Sequence, residues 1–170
     1  DIKVFFPHGR IDLLKFWFSL SDNLMLKDLK EIDIESLKIR ERIKIIIKKR
    51  LQRWILYRSA IKKTIPLLLQ PTYNQYIIYS LGITLDMIWR IAGDKSVDFN
   101  YYTKRGLLFG VYSSTLIFWL DDSSEDCIET WDFLDRRIAE VLEIPKFKKN
   151  INNTIGTYTS NFSSSLRRFF

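Results

Sequence analysis

Histidine and cysteine are nearly missing: the 170 residues hold one of each, His8 and Cys127. A lone thiol makes no intrachain disulfide, which suits a reducing compartment. One His and one Cys build no zinc site, and no Ser/His/Asp or Cys/His arrangement has workable spacing. His8 sits beside Pro7 and Gly9 and reads as a turn residue. The acids Asp121, Asp122, Glu125, Asp126 and Glu129 lack the Glu-x-x-His pairs of a di-iron carboxylate site. Glycine is scarce, with 6 in the chain, and none forms a phosphate-cradling loop. These absences leave no visible active site and no expected metal or cofactor. The longest apolar run, Gly106–Leu120, is 15 residues, short of the ~20 that span a bilayer. It reads as a core helix, apolar on every face and buried on all sides.

What the chain does have is charge and hydrophobic bulk. Hydrophobic residues make up 46% and aromatics 15%, which excludes general disorder and supplies a core for one domain. The net charge is +7, which suggests an anionic partner, nucleic acid or an acidic membrane surface. The chain opens at Asp1 without Met or a targeting pattern, as expected of a processed or cropped product.

The periodicity is helical throughout. A helix is predicted over 11–29, with Leu14, Trp17, Phe18, Leu24 and Met25 inward. Asp33 is a candidate N-cap for a basic helix over 34–57. Between Glu35 and Arg53 that helix carries eight cations against two acids, read either as an anion-binding face or as a solvated one. A short helix near Ser59–Leu69 should kink or end at Pro66. Another should start at Pro71 and stop at Gly93. The central helix follows from about Asp98. Its Gly106, Gly110 and Ser114 recur every fourth residue, read as tight helix packing or as close approach by a long ligand. Ser123-Ser124-Glu125-Asp126 has capping-box spacing, opening a helix over 124–143 with Ile128, Trp131, Leu134, Ile138, Val141 and Leu142 inward and Phe133 outward.

Pro145 opens a tail of different character. Its apolar residues Phe147, Ile151, Ile155, Tyr158, Phe162, Leu166 and Phe169 are separated by 4, 4, 3, 4, 4 and 3 residues, close to the helical period. Between them lie only Lys, Asn, Thr, Ser, Gly and Arg, and the segment has five cations and no acid. Strong pattern and weak helix propensity predict a helix that forms on contact with a surface. That surface is either anionic membrane or the protein's own body. The organisation is thus a helical domain over 1–144 and an amphipathic tail over 145–170.

The stretch YYTKRGLLFGVYSSTLIFWLDDSSEDCIETWDFLDRRI, with FPHGRIDLL, LKIRERI and IWRIAGDKSVDFN, resembles the accessory lipid-binding protein family of ubiquinone (coenzyme Q) biosynthesis. The resemblance covers about Phe6 to Ile144. It implies an all-α, TetR-like homodimer whose chamber holds lipids or isoprenoid quinone precursors. It further implies a non-enzyme that presents substrate to the di-iron demethoxyubiquinone hydroxylase. Such a protein would work peripherally, on the cytoplasmic face of a bacterial inner membrane or the matrix side of the mitochondrial one. The family's partner surface maps here to Asp122, Ser123, Ser124, Thr130 and Trp131, with Asp121 and Phe133 as further candidates. Chamber candidates from the apolar runs are Trp17, Trp89, Leu108, Tyr112 and Leu116. The seven apolar tail residues are the membrane candidates, matching in character only. The N-terminal DNA-binding helices of TetR regulators have no counterpart, which argues against nucleic acid. The rival reading is a ligand-responsive TetR-type regulator whose DNA-binding part is missing from this chain.

Overall fold

The computed structural model describes residues 2–68, 70–95 and 99–141. All of its regular structure is helical, with no strand among the described residues. A short α1 (Ile2–Phe5) precedes α2 (Arg10–Leu29) and α3 (Ile39–Gln52). A 3-10 turn (Ile55–Tyr57) leads into α4 (Arg58–Leu68), then α5 (Pro71–Ile91) and α6 (Phe99–Asp121). A second 3-10 turn (Glu125–Cys127) starts α7, residues 128–141. The core lies where α2, α3, α5 and α6 meet, around Met25, Ile46, Ile47, Leu85, Ile88 and Trp119, all essentially inaccessible. No described helix is long and apolar enough to cross a membrane.

The ends of α5 follow the sequence signals. Pro71 occupies the first turn, where its missing N–H would be unpaired anyway. At the other end Gly93 takes φ 96°, and Asp94 N–H donates to Trp89 O at 2.9 Å, closing the helix with a left-handed residue.

Several predicted boundaries move. Asp33 does not cap α3, which begins five residues later than expected, after Lys38 in an extended conformation. The reason is Arg42, which ties residues 30–38 into a turn structure of their own. Its guanidinium donates to Glu35 O at 2.6 Å and Leu37 O at 2.7 Å, and reaches Ala92 O at 3.3 Å. Pro66 lies inside α4, which ends at Leu68.

The central helix is not buried all round. Tyr102, Phe109 and Ile117 on α6 are exposed, by 73%, 42% and 62%. Gly106 and Gly110 share that side, and a Cβ built on either meets nothing within 4 Å. At Gly106 and Gly110 the small-residue line therefore faces open space. Nor is Ile128 inward: Cys127 takes the buried place ahead of Trp131, Leu134 and Ile138, leaving Ile128 59% exposed.

Candidate functional site

Aromatic side chains from α2 and the 3-10 turn after α3 hold open an apolar cavity of about 250 Å³. Leu13, Leu14 and Trp17 form one wall, Trp54 and Tyr57 the next, and Ala60, Ile61 and Thr64 of α4 the third. The rings brace each other edge to face, Trp17 to Trp54 at 5.7 Å and Trp54 to Tyr57 at 5.8 Å. Such geometry suits the ring quadrupoles and keeps the rings from closing flat on each other.

Trp17, Trp54 and Ile61 also line an inner recess of about 10 Å³, shared with Ser21, Arg50, Leu51, Tyr112, Leu116 and Trp119. The volume is about that of one water-sized probe. Its deep end is polar. Arg50, 3% exposed, pairs with the equally buried Asp22. The Arg50 Nε donates to Tyr112 Oη at 3.0 Å, and Thr84 Oγ1 donates to both Asp22 oxygens at 3.0 and 3.1 Å. Burial pushes the Asp22 carboxyl above its ordinary value, against the pull of Arg50 and the Thr84 hydroxyl. Arg50, one of the eight cations of the basic helix, is thus half of an internal ion pair and not a surface charge.

Three of the five chamber candidates, Trp17, Tyr112 and Leu116, line this recess. The other two do not. Trp89 is packed in the core with its Nε1 donating to Lys104 O at 3.0 Å, and Leu108 is 2% exposed in the same core. The apolar runs pointed to α6, whereas most of the cavity wall comes from Leu13, Leu14 and the segment 54–64. Trp54 and Tyr57 fall inside the helix predicted over 34–57, where nothing in the pattern sets them apart as a cavity wall.

The acidic turn is built around Asp122. Its Oδ1 accepts from Ser124 N–H at 2.7 Å and Ser124 Oγ at 2.6 Å, and its Oδ2 accepts from Thr130 N–H at 2.9 Å and Thr130 Oγ1 at 2.5 Å. Burial works against its charge, but these side-chain and backbone donors hold the carboxyl at about 2. The helix start is thus capped by Asp122 at Thr130 N–H and by Ser124 Oγ, which accepts from Glu129 N–H at 3.2 Å, rather than by a box closed between Ser123 and Asp126. Asp126 and Cys127 carry φ of 51° and 56°, a conformation L residues rarely adopt, and Trp131 Nε1 donates to Asp126 O at 2.7 Å across the bend.

This corrects three of the partner candidates: Asp122 and Trp131 are each 5% exposed, Thr130 is fully buried, and all three hold the turn from inside. Asp121 is exposed and paired with Lys62. Phe133 is half-buried rather than outward, stacked on Phe118 at 4.6 Å with the planes 7° apart. What the turn presents is Asp121, Ser123, Glu125, Asp126, Ile128, Glu129 and Asp132. The tail candidates Phe147, Ile151, Ile155, Tyr158, Phe162, Leu166 and Phe169 lie outside the described residues, as does the boundary at 144/145.

The arrangement of the helices is TetR-like. A TetR transcriptional regulator from Nitrosomonas europaea superposes with a TM-score of 0.64, covering 77% of this chain and 72% of that one at 23% identity. That likeness is one of fold.

Residues 76–145 match the COQ9 family model. The chain is 33% identical over 135 residues to "Probable ubiquinone biosynthesis protein coq9, mitochondrial" of Dictyostelium discoideum, covering 79% of this chain and 44% of that protein. It is 34% identical over 108 residues to "Ubiquinone biosynthesis protein COQ9, mitochondrial" of Rattus norvegicus, covering 64% of this chain and 35% of that protein. The Xenopus laevis protein COQ9-B is 35% identical over 108 residues, 64% of this chain and 37% of that one. The chain is a relative of the COQ9 proteins of ubiquinone biosynthesis, and it spans less than half the length of those it matches.

Proposed function

We propose that this chain is a non-catalytic lipid-binding protein of ubiquinone biosynthesis, working in the mitochondrion at the surface of the inner membrane. It takes an isoprenoid quinone precursor, or phospholipid in its place, from the bilayer. It presents the precursor to the di-iron demethoxyubiquinone hydroxylase. The observation that carries this reading is the aromatic cavity, whose Trp17, Trp54 and Ile61 also border a small recess lined by Arg50 and Tyr112, in a chain related to COQ9 proteins. An apolar chamber with a few placed polar groups is the form a lipid site takes.

Two surfaces complete the proposal. Leu13 and Tyr57 line the cavity yet are 52% and 59% exposed, and the nearby Phe16 and Leu56 are exposed by 53% and 90%. An apolar rim of this kind suits direct contact with lipid, alongside the stripe in the tail. The outward side of α6, with Gly106 and Gly110 open beside Phe109 and Ile117, suits a second copy packed helix to helix. The acidic turn, Asp121 to Asp132, is the face offered to the hydroxylase.

The test is transfer. With demethoxyubiquinone in liposomes and the hydroxylase in solution, added chain raises product formation several-fold. Ala60→Trp, which fills the cavity from an exposed wall position, abolishes the gain while leaving the chain folded. Equal stimulation by both forms contradicts the proposal.

A further inference from the structure

An open groove of about 560 Å³ is lined from α4 by Arg58, Ser59, Lys62 and Lys63, and from the end of α6 and the acidic turn by Leu120, Asp121, Asp122 and Ser123. Its charges are unequal, three cations against two acids. Lys62 pairs with Asp121, but both side chains are more than half exposed and such a pair holds weakly. Lys63 pairs with no acid among the described residues. Asp122 is already satisfied inside its turn by Ser124 and Thr130. Ser123 is exposed, and its hydroxyl makes no hydrogen bond among the described residues. We propose that Ser123 is a phosphorylation site for an acid-directed Ser/Thr kinase, and that Arg58, Lys62 and Lys63 receive its phosphate.

Sequence and geometry select that serine together. Kinases tell substrates apart by the charge pattern around the hydroxyl. Ser123 has Asp121 and Asp122 before it and Glu125, Asp126 and Glu129 after it, which complements a kinase with a basic substrate cleft. Ser124 has the same flanks but is committed: its Oγ donates to Asp122 at 2.6 Å and accepts from Glu129 N–H at 3.2 Å. A phosphate there would break the turn open. In the transfer, Ser123 Oγ attacks the γ-phosphorus of ATP and the bond to the bridging oxygen breaks. ADP leaves, and the hydroxyl proton passes to the kinase's catalytic carboxylate. The product carries about −1.5 to −2 of charge and three acceptor oxygens. Opposite an Arg and two Lys it gains charge-assisted hydrogen bonds, and Lys62 turns from Asp121 to the stronger acceptor. The contact ties the acidic turn to α4, the helix whose Ala60, Ile61 and Thr64 line the aromatic cavity. The inference is independent of what that cavity holds.

The test uses the purified, folded chain with casein kinase II and magnesium ATP. Mass spectrometry of its peptides should find about one phosphoryl group per chain, on Ser123, and none on the acidic turn of Ser123→Ala. In a phosphorus NMR titration of the modified chain, the second ionisation of the phosphate should lie about half a pH unit or more below its ordinary value of about 6, because facing cations favour the dianion. The double variant Lys62→Ala with Lys63→Ala should be modified equally well and titrate near the ordinary value of about 6. Both lysines are exposed, so their loss leaves the fold intact. An unmodified native chain, or a phosphoryl group on Ser124 instead, overturns the site. A phosphate on Ser123 that titrates alike in parent and double variant overturns the groove as its receiver.

Discussion

Asp122 and Arg50 both look like surface charges in the sequence, and both are internal supports. Removing the Asp122 carboxylate orphans two backbone N–H groups and two hydroxyls, so Asp122→Ala should lower unfolding free energy by ~2–4 kcal/mol in urea titrations at neutral pH. The acid has a pH signature as well. Its folded value of about 2 lies below the ordinary 3.8, so its contribution is complete above 3.8 and is lost as pH falls toward 2. The amount at stake is ~2 kcal/mol. Stability of the parent chain should fall across that window, and the fall should be smaller in Asp122→Ala. Arg50→Met strands Asp22 in the core and should lose ~3–5 kcal/mol. The double variant Asp22→Leu with Arg50→Met, which removes both charges, should recover most of it. A double variant as unstable as the single one would show that the cluster contributes more than mutual neutralisation.

The helices themselves were readable because each has an apolar face at the 3.6 period and clear punctuation at Pro71 and Gly93. What one helix does to another was not. Periodicity cannot see that Arg42 ties down residues 30–38 and delays α3, or that Asp122 reaches eight residues ahead to Thr130. Nor does it tell a helix buried all round from one with an exposed apolar side, and α6 is the second kind. The chamber was half legible for the same reason: α6 announced Tyr112 and Leu116 by its long apolar run, while Trp54 and Tyr57 sit where the chain turns and Ile61 just beyond, in α4. If α6 pairs with its counterpart in a second copy, Ile117→Glu and Phe109→Glu should each convert a dimer to a monomer in light scattering. Both positions are exposed within the chain, so thermal unfolding of the monomer should barely change. An unchanged mass would move the dimer contact off α6.

The whole molecule joins three things: a braced aromatic cavity, a buried Arg50–Asp22 cluster near its Trp17–Trp54 wall and an apolar rim beside the cavity opening. A cavity of this form suits an apolar ligand, and the proteins this chain resembles are named as ubiquinone biosynthesis proteins. The most direct measurement is mass spectrometry of organic extracts from the chain purified without detergent. The account predicts an isoprene-tailed quinone precursor or a phospholipid at close to one per chain, reduced several-fold in Ala60→Trp. Protein that comes out empty in both forms, though folded, would contradict it.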